Sequence, residues 1–284
     1  QDIFRRCEAP KLYEPVELEN FRLYYLQNLL NSLSSRRITR NMEVRTSSET
    51  ISEMLELVLH EIEQRITAEN LPREFRSEIS DNGQHIRLFT SDNAPLTDDQ
   101  FLTVVCIVLL KHSSCRRIVL PVSSSEKLKE MVENNGGQAI VCGTSQREFM
   151  NAVMEQGEQL QWKLCFDGIW AAITLLDYLN VHEVSFDTMI NKIPVYCKKE
   201  CEVECPDNQK AQVISQLYDR FRTNRTDLTH GLKIYQNNGW VLMVPDRYRH
   251  YIKIITEGVN MEAAEEISAL FKKEIKKSLQ NPRE

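Results

Sequence analysis

Residues 118–143 read IVLPVSSSEKLKEMVENNGGQAIVCG, and this stretch decides the fold. It predicts a strand, a helix that begins after the serines and ends at Gly136 and Gly137, and a second strand. Another helix is predicted directly afterwards in SQREFMNAVMEQ, residues 145–156. Strands and helices that alternate at this spacing pair in parallel through helical crossovers, so we expect an α/β layer.

The sequence before this stretch predicts two amphipathic helices and two short strands. Apolar residues recur at helical spacing in FRLYYLQNLLNSL (21–33) and ISEMLELVLHEIEQRI (51–66). RITRNMEVRT (37–46) and HIRLF (85–89) are the predicted strands. FLTVVCIVLLKH (101–112) is apolar nearly all round and follows Thr97, a good N-cap, so we expect a buried helix there. FDGIWAAITLLDYLN (166–180) predicts another.

The periodicity changes near residues 191–194, where we place a domain boundary. Beyond it the sequence predicts an alternating strand (195–205), a helix (211–223), three short strands (231–236, 239–245 and 250–258) and a closing helix (261–279). The predicted fold class is therefore α/β, with two mixed-sheet α/β domains followed by a C-terminal α+β domain. We expect these domains to span residues 1–97, 98–191 and 192–284.

Composition limits the classes of partner. The sequence has 35 Lys and Arg residues and 41 Asp and Glu residues. This net negative charge gives no long-range attraction to nucleic acid or to an anionic membrane, so we expect neither as a partner. Arg36, Arg37 and Arg40 are interpreted as a solvated helix end. Eight cysteines in mostly apolar surroundings indicate reduced thiols and a cytoplasmic protein, and no apolar run reaches the roughly 18 residues of a membrane span. Because the chain opens on Gln1, we expect a piece of a longer polypeptide.

A C-x3-C-x3-C pattern at Cys197, Cys201 and Cys205 invites a metal-site reading. On a strand these residues share one face, and four-residue steps separate neighbouring thiols by about 13 Å, too far for one ion. We expect core packing instead. No glycine-rich phosphate loop and no nucleophile elbow occur in the sequence.

The order of these elements resembles the α-D-phosphohexomutases, the phosphoglucomutase and phosphomannomutase superfamily, from just before their second domain to their end. Four stretches carry the resemblance, and QDIFRRCE (1–8) resembles the tail of the first domain. The stretches are residues 118–143, the Asp-Gly-Ile helix 166–180, the opening of the last domain at 203–217 and its phosphate-loop region at 231–258. The resemblance implies domains II, III and IV of that fold.

Members of this family move a phosphoryl group within a hexose phosphate by way of a phosphoserine on their first domain, with Mg²⁺. That serine has no counterpart here. The family's metal loop, Asp-x-Asp-x-Asp-Arg, maps by resemblance onto Ser80, Asn82, Gln84 and His85 of ISDNGQHIRLF. Three carboxylates are replaced by neutral groups, so we expect no tight Mg²⁺ site. In a register shifted by one residue, Asp81 would be the sole acidic ligand.

Two further functional loops of the family are also altered in this sequence. The sugar-recognition loop, Gly-Glu-x-Ser-Gly-His, maps onto GEQLQW, which keeps Gly157 and Glu158 and then has Leu160, Gln161 and Trp162. The phosphate loop, Arg-Pro-Ser-Gly-Thr-Glu-Pro, maps onto VPDRYRH. Its degenerate positions are Asp246, Arg247, Tyr248 and Arg249. We expect Arg247 and Arg249 to lie two apart on an extended segment that serves an exposed face.

The resemblance predicts a phosphohexomutase-like module that is catalytically inactive, with no catalytic residue, no metal and no cofactor. It is expected to bind a hexose phosphate or nucleotide sugar, or to act as a regulator, within a longer chain of the mannose-1-phosphate guanylyltransferase type. One alternative is an active mutase that uses Mg²⁺ and a divergent site of Asp81, Glu158, Arg247 and Arg249, with its phosphoserine on a domain outside this sequence. The other is a scaffold for a covalently linked or homo-oligomeric partner domain.

Overall fold

A computed structural model describes residues 20–35, 38–63, 73–112 and 116–280. Three sheets of three, two and five strands, with helices packed on them, form this part of the chain. The α/β fold class is confirmed. The predictions for QDIFRRCE and for Arg36 and Arg37 fall outside the described residues.

The first sheet pairs three strands in the order β1-β2-β3. β1 and β2 are parallel, whereas β2 and β3 form an antiparallel hairpin around the predicted metal loop. β2 was absent from the sequence prediction, because its charged residues alternate with buried Phe75, Ser77 and Ile79 and leave no apolar run. The elements are α1 (Phe21–Ser32), β1 (Asn41–Arg45), α2 (Glu49–Glu63), β2 (Arg73–Ile79) and β3 (Ile86–Phe89).

The second sheet contains only β4 and β5, which pair in parallel as predicted. Thr97 and Gln100 exchange hydrogen bonds of 2.9 and 3.3 Å at the start of α3, which confirms the predicted N-cap. The short helices α6 and α8 were not predicted. The elements are α3 (Asp98–His112), β4 (Arg117–Pro121), α4 (Glu126–Asn134), β5 (Gln138–Cys142), α5 (Gln146–Gln156), α6 (Gln159–Phe166), α7 (Gly168–Val181) and α8 (Phe186–Ile190).

One hydrophobic core joins these first two parts. Buried side chains from Leu26 to Met189 form a single cluster, and α7 packs on β1, β2 and β3 of the first sheet. The predicted domain boundary between residues 97 and 98 therefore lies within a shared core, and it stays a prediction.

The C-terminal part is an antiparallel five-stranded sheet in the order β6-β10-β9-β8-β7, with α9 and α10 packed against it. Its own core is built around residues such as Val203, Ile254 and Phe271. β7 was not predicted. The elements are β6 (Cys197–Glu204), α9 (Asp207–Arg220), β7 (Thr226–Asp227), β8 (Leu232–Gln236), β9 (Gly239–Pro245), β10 (Tyr251–Gly258) and α10 (Met261–Gln280).

The cysteines of β6 follow the predicted alternation. The Cys201 thiol lies 3.3 Å from the Ser268 hydroxyl of α10, and Cys205 is fully buried, whereas Cys197 is only half-buried. Core packing is therefore confirmed for Cys201 and Cys205 and holds less well for Cys197, at the end of the strand. No group of three or more His, Cys, Asp or Glu side chains suited to a metal occurs in the described ranges.

A buried polar network joins the opposite face of this sheet to the first turns of α3 and α4. Lys198 of β6 donates to Asp99 and to the Ser123 carbonyl, both at 2.6 Å. Lys233 of β8 donates to Glu126 at 2.6 Å. Since these ammonium groups meet their partners away from water, the network fixes the C-terminal sheet against the second part of the molecule.

Glu257 of β10 lies at the centre of this network and is 5 % exposed. Its carboxylate accepts hydrogen bonds from the Ser125 hydroxyl, from the Glu126 backbone N–H at 3.2 Å and from the Trp240 indole at 2.6 Å. A carboxylate at the first turn of α4 also complements the helix dipole. Trp240 is itself buried in this interface.

The last two predictions concern the environment of Arg40 and the absence of a membrane span. Arg40 is not part of a solvated helix end, because α1 ends at Ser32 and the largely buried guanidinium pairs with Glu74 of β2. Among the described helices none is by itself long and apolar enough to cross a membrane. α6 and α7 together pass by length and composition, with a bend of 111° between them, and most of their residues are buried in the core.

Candidate functional site

The predicted metal loop is a tight turn held together by its own side chains. The Ser80 hydroxyl donates to the Asn82 side-chain oxygen at 2.7 Å and accepts from the His85 backbone N–H at 3.0 Å. The same Asn82 oxygen accepts from the Gln84 backbone N–H at 3.1 Å, and the Asn82 amide donates to the Gln84 side chain at 3.3 Å. The turn thus uses the groups that would have to bind a cation.

These residues do not fit Mg²⁺. A hard cation needs oxygen ligands with negative charge and near-octahedral geometry, and Ser80, Asn82 and Gln84 are neutral and engaged with each other. Asp81, the acidic ligand of the shifted register, accepts a hydrogen bond from the Ser47 hydroxyl instead. One exposed carboxylate without acidic neighbours in the turn is a weak magnesium ligand.

The Asp-Gly-Ile helix docks against this turn. The Gly168 N–H donates to the Gly83 carbonyl at 2.8 Å, and a Cβ on Gly168 would lie 2.7 Å from Ile79. Gly83 has φ 73°, in the left-handed region that favours glycine. Both glycines are therefore required by packing, whether or not the loop binds a metal.

Asp167 of this motif caps α7. It accepts from the Ile169 and Trp170 N–H groups at 3.1 and 3.0 Å and from the Tyr25 hydroxyl at 2.8 Å. Burial raises the pKa of Asp167, while these hydrogen bonds favour its ionised form. Burial, assisted by the neighbouring carboxylate, raises the pKa of Tyr25. This contact attaches α1 to α7, so the motif is architectural here.

The predicted sugar loop is a two-residue connection between α5 and α6. Gly157 and Glu158 lie at the C-terminal end of α5, and Glu158 is the N-cap residue of α6. An 11-residue helix is about 16 Å long, which separates Glu158 from the first turn of α5. Leu160 and Trp162 pack against the core. Residues 159–166 of this segment therefore form a helix that packs on the core. The prediction that the segment is a decayed sugar-recognition loop stays a prediction.

Gln161 explains why a helix can replace the loop. This fully buried side chain accepts from the Val119 N–H at 3.0 Å and donates to the Val119 carbonyl at 2.7 Å. The amide satisfies the free edge of β4 as a neighbouring strand would. Sequence reasoning treated Gln161 only as a lost glycine, and nothing in its local pattern signalled this long-range role.

The predicted phosphate loop is a turn between β9 and β10. The Asp246 carboxylate accepts from the backbone N–H groups of Tyr248 and Arg249, both at 2.8 Å, and these bonds hold its pKa below the ordinary value. Arg247 and Arg249 therefore do not lie on an extended segment, which corrects that expectation. The aspartate that would repel a phosphate is instead committed to the turn. Tyr248 is 92 % exposed.

The first turn of α5 contacts both the predicted metal loop and the predicted phosphate loop. The Nε2 atoms of Gln146 and His85 are 2.9 Å apart, and Arg247 approaches Glu148 at 4.0 Å. Ser145 and Glu148 form a capping box, and hydrogen bonds from Ser145, aided by the Arg247 charge, lower the pKa of Glu148. The Ser-x-x-Glu spacing was a readable signal for this turn, but not for its place between the two loops.

A cavity of about 690 Å³ opens beside the metal loop. Its volume lies within the 300–1,000 Å³ typical of small-molecule sites. Its walls carry two arginines, three carboxylates and one histidine, with Phe101 as the aromatic member. The ionisable residues are Arg45, Arg87, Glu78, Asp81, Asp98 and His85.

Comparisons with known proteins agree with this architecture. No family model matches the sequence. The phosphoglucosamine mutase of Methanococcus maripaludis is 23 % identical over 205 residues, which cover 66 % of this chain and 46 % of that protein. A phosphoglucomutase/phosphomannomutase family protein from Burkholderia thailandensis superposes with a TM-score of 0.72 at 14 % identity, covering 90 % of this chain and 64 % of its own.

The chain has the α-D-phosphohexomutase fold. The resemblance seen in the sequence is thereby confirmed at the level of the fold, and the names of the sequence relatives agree with it. Another neighbour is the N-acetylphosphoglucosamine mutase of Aspergillus fumigatus in complex with GlcNAc-6P and magnesium, with a TM-score of 0.60, 9 % identity and coverage of 90 % of this chain and 64 % of its own. The chain spans just under half of the length of the Methanococcus relative.

Within this fold, the stretches that carry the resemblance form regular helices and strands. The helix that begins Asp-Gly-Ile, the β4-α4-β5 passage and the C-terminal sheet are all in place. The metal loop has no acidic triad, and the predicted sugar loop lies within a helical segment. The predicted metal and phosphate loops both contact the first turn of α5.

Proposed function

We propose that this chain is a phosphohexomutase-like module that binds a phosphorylated sugar and does not catalyse phosphoryl transfer. The observation that carries the proposal is the set of neutral side chains at the predicted ligand positions of the metal loop, where Ser80, Asn82 and Gln84 hydrogen-bond to each other. Phosphoryl transfer needs a cation to offset the charge that spreads over the transferred group. A turn that uses its own oxygen ligands and has no acidic triad does not supply that cation site.

Retention of a ligand is supported by the cavity and by the phosphate loop. The cavity beside His85 has room for a hexose phosphate, and two exposed guanidinium groups, those of Arg247 and Arg249, lie on a fixed turn. Guanidinium groups bind phosphate through charge-assisted hydrogen bonds. The solved neighbour from Aspergillus fumigatus holds GlcNAc-6P, which makes a hexose phosphate the ligand class to test first.

The test is a melting-temperature titration of the purified protein with glucose 1-phosphate, GlcNAc-6P and GDP-mannose. A ligand at 100 times its dissociation constant stabilises the folded state by about 2.7 kcal/mol. We expect one of the three to raise the melting temperature, and the double variant Arg247→Gln, Arg249→Gln to lose most of that rise. Arg222→Gln, on another exposed part of the C-terminal region, is the matched control. No rise with any of the three compounds would contradict ligand binding.

The same proposal places the module downstream of a sugar-phosphate nucleotidyltransferase domain in a longer chain. This step rests on family analogy. The sequence upstream of Gln1 in the complete polypeptide tests it.

The second candidate is an active mutase, favoured by one observation: the sequence relatives are named as phosphoglucosamine mutases and phosphomannomutases. A serine-loop mutase domain upstream of Gln1 would support this candidate over the first. It requires magnesium-dependent turnover by the complete polypeptide, with Asp81 as an essential ligand.

A further inference from the structure

A single buried lysine holds the loop that carries the two exposed arginines. Lys210 is the fourth residue of α9 and is 7 % exposed. Its ammonium donates to the backbone carbonyls of Asp246 and Arg249, each at 2.6 Å, and to the Asp207 carboxylate at 2.5 Å. An ammonium group has three donors, and all three are used.

The contacts of Lys210 are placed at both ends of the turn. Asp246 begins it and Arg249 lies near its end, while the Asp246 side chain closes it from within by accepting from the Tyr248 and Arg249 N–H groups. On the same side, Asp207 lies 3.0 Å from the His250 ring, and the Cys205 N–H donates to the His250 carbonyl at 2.8 Å. The backbone of the loop is thus anchored from behind.

The side chains in front of this anchor are free to meet a ligand. The Arg247 side chain is 83 % exposed, and its one ionic contact, with Glu148, is 4.0 Å long. Such a contact is screened by water and contributes little. A fixed backbone with exposed cationic side chains lowers the ordering cost of binding, because only the side chains must be immobilised.

We propose that Lys210 is a positioning residue, which orients Arg247 and Arg249 toward the phosphate group of the ligand without touching it. This inference rests on the proposed function, because it assigns a purpose to the geometry of the phosphate loop. Part of this inference can be tested without any ligand. Without the ammonium group, the carbonyls of Asp246 and Arg249 lose their common donor and the turn loosens.

The first test needs no ligand. Amide hydrogen exchange of Tyr248 and Arg249 is compared in the wild type, in Lys210→Met, which keeps the length of the side chain, and in Lys276→Met on the exposed face of α10. We expect exchange of both amides to rise at least tenfold in Lys210→Met and to stay unchanged in the control. Equal exchange in all three proteins would overturn the proposal. Should Lys210→Met not fold, Asp207→Asn, which weakens one contact of the three, takes its place.

The second test is a double-mutant cycle on affinity for whichever of glucose 1-phosphate, GlcNAc-6P and GDP-mannose binds the wild type. Arg247→Gln is expected to weaken binding about tenfold in the wild-type background and less than twofold in the Lys210→Met background. The same tenfold loss in both backgrounds would show a merely stabilising role and overturn the positioning claim. If none of the three binds, the proposed function fails, while the exchange test still decides whether Lys210 fixes the loop.

Discussion

At the scale of the residue, uncharged polar side chains have two different roles in this chain. In the metal loop, Ser80, Asn82 and Gln84 stabilise the turn that they occupy, so the loss of charge is accompanied by a local hydrogen-bond network. At Gln161 the amide acts over a long sequence distance on β4. The first role follows from the pattern of residues, but the second depends on tertiary contacts that the sequence does not display.

Gln161→Leu is the sharpest prediction at this scale. The substitution keeps roughly the size of the side chain and leaves the buried N–H and C=O of Val119 without their partner, each at a cost of about 1–3 kcal/mol. We expect the free energy of unfolding in urea to fall by about 2–5 kcal/mol. Gln159→Leu, exposed on the same helix, is the control and should change stability by no more than about 0.5 kcal/mol. Equal stability of the two variants would contradict the edge-capping role.

At the scale of the element, helices and strands with strong patterns were predictable. The helices α3, α4, α5 and α7 and the strands β6, β8, β9 and β10 follow their apolar periodicity and caps. β2 was missed because four of its seven residues are charged, and α6 was missed because the family pattern suggested a loop there. Both depend on neighbours that are remote in sequence, so a local reading could not find them.

The interface between the C-terminal sheet and α4 depends on Glu257. Glu257→Ala removes the acceptor of the Ser125 hydroxyl, the Glu126 N–H and the Trp240 indole, and we expect it to destabilise the protein by about 3–5 kcal/mol. Glu266→Ala, exposed on α10, is the control. Because Trp240 is the one of the three tryptophans that lies in this interface, part of the tryptophan fluorescence should change at a lower urea concentration than the far-ultraviolet circular dichroism in Glu257→Ala.

In the wild type the two signals should coincide, since the network couples the C-terminal sheet to the rest of the molecule. Separate transitions in the wild type, or a Glu257→Ala variant as stable as Glu266→Ala, would show that the sheet is not fixed by this network.

At the scale of the whole molecule, the order of most helices and strands could be inferred from the sequence, and the contacts between the predicted functional loops could not. Resemblance gave the superfamily, because residues 118–143 and 166–180 keep structural glycines, caps and apolar runs. The convergence of His85 and Arg247 on the first turn of α5, and the distance of Glu158 from it, became visible only in three dimensions.

The central claim is that this cleft lacks the charge to hold magnesium for phosphoryl transfer. The most direct measurement is calorimetric titration of Mg²⁺ into the complete polypeptide, alone and with GlcNAc-6P, alongside an assay of mutase turnover and with Asp81→Ala as the comparison. The account predicts no saturable magnesium binding in the millimolar range, no magnesium-dependent turnover and no difference between the wild type and Asp81→Ala. Saturable binding and turnover that both disappear in Asp81→Ala would contradict it.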